Sequence, residues 1–434
     1  MSKNVKRLLS LSMEEAMVEP VVGEAPDELV LEEVQDLEIP ELDAVERLES
    51  TSDALDNFVE NAPIADDMST ATLEMCALAL ESILIAGGVS EYLGGKITEA
   101  SLESVGSFRV SIEEAQARVH GAISSFLSKV GNRFKEMFGS YKMTFSKVSK
   151  LVGNIEEHLN HAESGKAPSH PEIKVTDGHR LFINDRHTVA DMKKGFENVV
   201  RVASTIDSTY IESIAAFAQR ATEAIMKAYT GKDLFLEALI GVLNASQNRV
   251  RVNGDRTAAR NTDIASKEVQ GFVREINDIL AKVSGYKGQD IPMPGGRVIR
   301  VDSNAEGVDS CIPELIKADL DRRAVVTIAT PSIAEIKGLV SVAKEAAAKL
   351  QAADALLEKA WERMENEIEN TIQAQKKVLD KNTLTLLAGA DKARTHITWF
   401  ICDFFSEYGT IVDYSGKTVM HLLAFCEKAA KLYS

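Results

Sequence analysis

The chain is poor in residues that interrupt helices, close disulfides or cross bilayers. It has 10 prolines among 434 residues, and that scarcity favours helix over strand. Its four cysteines, Cys76, Cys311, Cys402 and Cys426, lie far apart with no CxxC pair. Such spacing excludes a disulfide framework and a zinc finger, and fits a reducing compartment. The longest apolar stretch, Met75 to Gly88, contains Glu81 and is too short to span a bilayer. At the N-terminus, MSKNVKRLLSLSMEEAM, Glu14 and Glu15 interrupt the apolar run before a secretory core can form. These absences point to a soluble chain made in a cytoplasm. A hydrophobic content of 45% and a charged content of 26% are those of a globular protein with a real core.

Motifs for nucleotide and acyl chemistry are missing too. Tyr229-Thr-Gly-Lys232 lacks the upstream glycine and the following hydroxyl of a phosphate loop, and Pro294-Gly-Gly-Arg297 has no dinucleotide register. No nucleophile elbow can be read. The expectation is a non-enzyme with no catalytic residue, no cofactor and no metal.

The scarcity that organises the chain is one of positive charge at its start. Through Glu103 there are 5 basic and 24 acidic residues, a net of −19, whereas the remainder has 44 basic and 42 acidic, a net of +2. The overall −17 therefore hides two unlike parts. Residues 13–67 carry Pro20, Pro26, Pro40 and Pro63 and the single aromatic Phe58. Such a segment buries little apolar surface, so a disordered or loosely helical leader is expected. Ser69 or Thr70 can cap a helix through LEMCALALESILIAG, with a second short helix over 90–103.

The rest reads as helix with small β elements. Ser111 and Glu114 have the form of a capping box. Phe126, Val130, Phe134, Met137, Tyr141, Phe145 and Val148 then recur at helical spacing. PEIKVTDGHRLFIND, with Asp177-Gly178 at its centre, predicts a β-hairpin near 171–184. Helices are expected over 188–228, 233–243 and 263–283. PMPGGRVIRVD and RRAVVTIATP supply short strands that could pair with each other.

Ser332 opens the longest helical run. It is free of proline to Asp380, with Ile336, Val340, Ala343, Ala347, Leu350, Leu357, Trp361, Met364, Ile368 and Ile372 on one heptad-like stripe. Asn382 is expected to break it, followed by helices over 383–406 and 416–432. The predicted fold is mainly α, a long-helix, coiled-coil-like bundle with small β-hairpin insertions behind an acidic leader. Its expected parts are 1–103 (leader), 104–290 (helical domain with the hairpin) and 291–434 (short β element, then long helices).

Two clusters could carry chemistry. His170, Asp177, His179, Asp185 and His187 are ligand types for zinc or iron, and a metal-dependent hydrolase is the enzyme alternative. Their spacing matches no metal motif, and a surface hairpin explains the same letters far better. The segment 126–150 sets Lys129, Arg133, Lys135, Lys142, Lys147 and Lys150 against Glu136 alone, a net of +5. These cations could meet DNA phosphate or an anionic membrane. The favoured reading is a core helix with a wet lysine face.

Ser101-Leu102-Glu103 before Ser104 has the form Ser/Ala/Gly-x-Glu, which resembles sites cut by the maturation proteases of large tailed phages. Ala79-Leu80-Glu81, Ser12-Met13-Glu14 and Ser111-Ile112-Glu113 share it, and the form recurs through the chain at about chance frequency. The run ALESILIAGGVSEYLGGKITEASLES, residues 79–104, discriminates better: it resembles the leader region of phiKZ-like phage internal head proteins. That resemblance implies a virion protein that starts in the host cytoplasm and ends inside the capsid with the genome. It also implies cleavage by a prohead protease, with Glu103 and Ser104 flanking the cut and Glu81 or Glu113 as alternatives. Implied partners are that protease, packaged DNA and other internal head or capsid proteins. A homo-oligomer, ejection with the DNA, an assembly-core or scaffold role, and a coiled-coil binding protein unrelated to phage stand as further options.

Overall fold

The computed structural model describes residues 28–31, 105–162, 167–184, 186–205, 208–229, 234–245, 267–283, 290–300, 313–317, 325–379 and 384–433, with scattered helical positions between 47 and 85. Strand β1 (Glu28–Val30) comes first, then helix α1 (Val105–His161), β2 (Glu172–Thr176) and a 3₁₀ turn (Gly178–Leu181). Helices α2 (Val189–Thr205), α3 (Ser208–Ala228), α4 (Leu234–Ala245) and α5 (Lys267–Val283) follow. Strands β3 (Ile291–Met293), β4 (Arg297–Arg300), β5 (Glu314–Lys317) and β6 (Val325–Ala329) lead to helices α6 (Ile333–Leu379) and α7 (Leu384–Lys431).

Three long helices form the spine. Lys135 pairs with Glu365, Lys142 with Glu358 and Glu156 with Lys344, so α1 numbers rise as α6 numbers fall, in steps of seven and fourteen. The two helices are therefore antiparallel. Contacts of Tyr141 with Gly409 and of Asn154 with Glu427 rise together, so α1 and α7 run parallel. Every residue of the α1 stripe from Phe126 to Val148 is buried, and so are nine of the ten stripe residues on α6. The side chain of Ile372, the tenth, is outside the described residues. Apolar periodicity of 3.5 to 3.6 residues thus became burial as expected. Helices α2 and α3 pack on α6, and α3 also meets α7 through Phe217 and Phe400, whose centroids are 5.4 Å apart. Helices α4 and α5 close over α3 through the Phe235–Phe272 edge contact and the Arg220–Glu275 pair.

The described element boundaries correct several expectations. Ser111 does not start a helix, because α1 already runs from Val105. At 57 residues α1 is longer than the 47-residue α6. The two helices expected at 383–406 and 416–432 are one, α7. Gly409 does not break it, because the missing side chain lets α1 approach: an added Cβ would stand 2.5 Å from Met137 Sδ. The break expected at Asn382 lies outside the described residues. Helices from both sides of residue 290 contribute to one core.

The β elements pair differently from expectation. Only the first half of 171–184 is strand; Asp177 turns with φ 55° into the 3₁₀ segment, so no hairpin closes there. Instead β2 lies between β1, parallel to it, and β6, antiparallel to it. The runs PMPGGRVIRVD and RRAVVTIATP are not partners of each other. β3 and β4 form a hairpin of their own and β5 adds to it. Gly295, at φ +86°, is required at its tip, since a Cβ there would sit 2.3 Å from Tyr414 Oη. Tyr414 uses that space to donate to the Pro294 carbonyl at 2.7 Å.

Leu29, Leu31, Leu55, Leu80 and Leu84 are buried in the common core, and Phe58 is half-buried against it.

Candidate functional site

Helix α1 presents the basic segment. Its aromatics are interior side chains: Phe134 contacts Trp361 (4.5 Å between centroids) and Phe405 (5.9 Å), and Phe138 contacts Tyr141. Lys129, Arg133, Lys135, Lys142, Lys147 and Lys150 are all exposed, as residues on the opposite face of an amphipathic helix must be. Half of them serve the fold. Arg133 bonds Glu136 at 3.1 Å one turn on, Lys135 reaches Glu365 at 3.5 Å, and Lys142 donates to both carboxylate oxygens of Glu358 at 2.8 Å. Glu358 also holds the Lys142 ammonium above its usual range. Among the described residues Lys147 and Lys150 have no carboxylate partner.

Behind this face lies a polar seam that sequence reasoning missed. Tyr141 donates to the Gly409 carbonyl at 2.5 Å, and burial with nearby Asp413 and Asp354 holds its hydroxyl well above the usual range. Asp354 is buried on α6, one turn before Glu358. Burial, reinforced by Glu358 and opposed by Lys142, pushes it up to about 7. Asp413 is raised by burial too, and Lys417 at 2.8 Å opposes that shift. Earlier on α7, burial beside Asp403 and Glu314 pushes Glu407 to about 7, while a hydrogen bond from the Leu315 backbone pulls the other way. Burial also holds the Cys402 and Cys426 thiols above their usual range.

The histidine-rich segment does not assemble. The His170 carbonyl accepts from Thr330 Oγ1, Asp177 pairs with Arg180 at 3.7 Å, and His187 packs edge-on against Phe182 at 5.0 Å. Asp185 lies outside the described residues. Among the described residues no three His, Cys, Asp or Glu side chains converge as metal ligands. No described helix is long and apolar enough to cross a membrane.

Of the candidate cleavage residues, Glu81, Glu103 and Ser104 lie outside the described residues, while Glu113 is in the helical backbone of α1. The α1–α6 ion pairs had a signal in the sequence: Lys135 and Lys142 are seven apart, as are Glu358 and Glu365.

The family model of the phiKZ-like phage internal head proteins matches residues 24–428. Neither a curated protein nor a solved structure matches the chain.

Proposed function

The chain belongs to the phiKZ-like phage internal head proteins and lies inside the virion capsid, and from that premise we propose that it is a structural protein packed beside the genome after its acidic leader is cut away. The observation that carries this reading is the charge division: −19 through Glu103 and +2 beyond it. Losing the leader removes most of the repulsion between this protein and DNA phosphate.

Two features favour the bond between Glu103 and Ser104. It falls immediately before α1, whose helix starts at Val105. A protease takes its substrate in extended form at accessible chain, whereas Glu113 would require α1 to unwind. Glu81 lies in sequence between the buried Leu80 and Leu84, which makes it a poorer substrate for the same reason. In the processed body, Lys147 and Lys150 are the foremost DNA contacts. Lys135 and Lys142 are committed to α6 and Arg133 to its own helix.

Mass spectrometry of the protein from purified particles tests the processing step. The expected result is a mature N-terminus at Ser104; abundant peptides spanning Glu103–Ser104 would overturn it. DNA binding tests the electrostatic step. The body freed of its leader is expected to bind DNA more tightly than the uncut chain, with a steeper salt dependence. Equal binding by both refutes the shielding role of the leader.

A further inference from the structure

Strand β1 belongs to the leader, yet it is built into the body. The register sets Leu29 beside Val175, and the Leu31 amide donates to the Thr176 carbonyl at 3.3 Å. On the next strand Val326 lies opposite Val175, and Ile328 opposite Ile173. Leu29, Leu31, Ile173, Val175, Val326 and Ile328 are all buried, so the three strands share one apolar face on the core. Glu172, Lys174, Thr327 and Ala329 point to solvent on the other face. A strand with one buried face has a fixed register, because a slip of one residue would turn its leucines outward. Without β1, the β2 backbone would lose one of its two neighbours and the apolar face its outer row. That is the form of a groove that accepts an added strand.

The position of this groove along the bundle matters. Thr330, just ahead of α6, donates its amide to Pro171 and its hydroxyl to His170. Tyr433 donates to Pro331 at 3.0 Å, and the Ser169 amide to Leu432 at 2.8 Å. The sheet is thus tied to the end of the bundle where α6 begins and where α1 and α7 finish. The bond at Glu103 precedes the opposite end of α1, whose 57 residues extend for about 85 Å at 1.5 Å each. In sequence the candidate cut therefore lies just ahead of one end of α1, and the sheet is tied to the other end.

We propose that the β2 edge is a strand-acceptor groove whose occupant is the chain's own segment 28–31, and that it keeps the leader docked after the bond at Glu103 is cut. Buried Leu55, Leu80 and Leu84 extend the hold along the body. Maturation then has two separable steps, scission and displacement, and the negative charge leaves only with the second. The timing rests on the processing reading above; the groove itself does not.

The test is a full-length chain with a site-specific protease sequence inserted after Glu103, cut to completion and passed over gel filtration. The leader is expected to co-elute with the body, and the amides of 28–31 to exchange at least about tenfold more slowly than in the free leader. A leader that separates completely, or a segment that exchanges as in the free peptide, overturns the proposal. In Leu29→Asp/Leu31→Asp, burial of two carboxylates is expected to lower leader retention at least about tenfold while the body keeps its helical circular dichroism. Retention unchanged in that variant also overturns it. Because the cut is engineered, intact Glu103–Ser104 in purified particles would remove the processing reading and leave this result standing.

Discussion

Helices α1 and α7 run parallel through the same bundle, but they meet different surroundings. Along α1 buried and exposed positions alternate at helical spacing, with Phe134, Phe138 and Tyr141 inward and Lys135 and Lys142 outward. Along α7, among the described residues from Phe400 to Tyr433, Lys431 alone is exposed. A helix at the rim needs one apolar stripe, whereas a helix at the centre is enclosed on all sides. The enclosed helix also has to carry its polar groups into the interior. Asp413, Ser415, Thr418 and His421 are buried on α7. Ion pairs at the rim should therefore matter little, and titratable or aromatic groups around the centre should matter a great deal.

The largest expected effect breaks the centre. Phe404 is fully buried between Phe400, Phe405 and Tyr408. Phe404→Ala should cost about 3–5 kcal/mol, read as a lower denaturant midpoint at unchanged slope. A loss under about 1 kcal/mol would mean that α7 is not the enclosed helix.

A smaller effect should follow pH. The Asp354 carboxyl is raised from 3.8 to about 7, so the folded chain binds a proton that the unfolded chain has released. Stability from this group is fully present below about pH 4 and is lost as pH rises through about 7. Asp354→Asn removes that dependence, and should raise stability at pH 8 by about 1–3 kcal/mol while gaining little at pH 4. Thermal melts of both proteins at the two pH values decide it. A gap independent of pH would assign the effect to packing instead.

The smallest effect belongs to the rim. Lys142→Ala should cost no more than about 1 kcal/mol despite the close pairing with Glu358, and the cost should shrink in high salt. A loss of several kcal/mol, insensitive to salt, would show that the α1–α6 ladder behaves like a buried network.

The same contrast explains what could be read in advance. The α1 stripe and the α6 stripe were legible because each helix has a wet side, and polar residues on that side mark the period. In α7 the enclosing neighbours remove the wet side, so one helix was read as two, over 383–406 and 416–432, and Gly409 between them is a point of close approach to Met137 and Tyr141. The strand at 172–176 was legible from Ile173 and Val175, but its partners come from residues 28–30 and 325–329, and local turn chemistry at Asp177 pointed to the wrong neighbour. The lysines of 126–150 were visible as a basic run. That Glu358 and Glu365 would reach two of them depended on the antiparallel register of a distant helix.

By itself, the sequence determined the helical class, the charge division at Glu103 and the family resemblance, because periodicity, charge and short-range pattern are properties of the linear chain. Tertiary structure alone decided which helix is central and which carboxyls are forced toward protonation. It alone placed the leader's strand in the body's sheet. Those outcomes depend on which surfaces meet, and burial and strand pairing are set by neighbours hundreds of residues away.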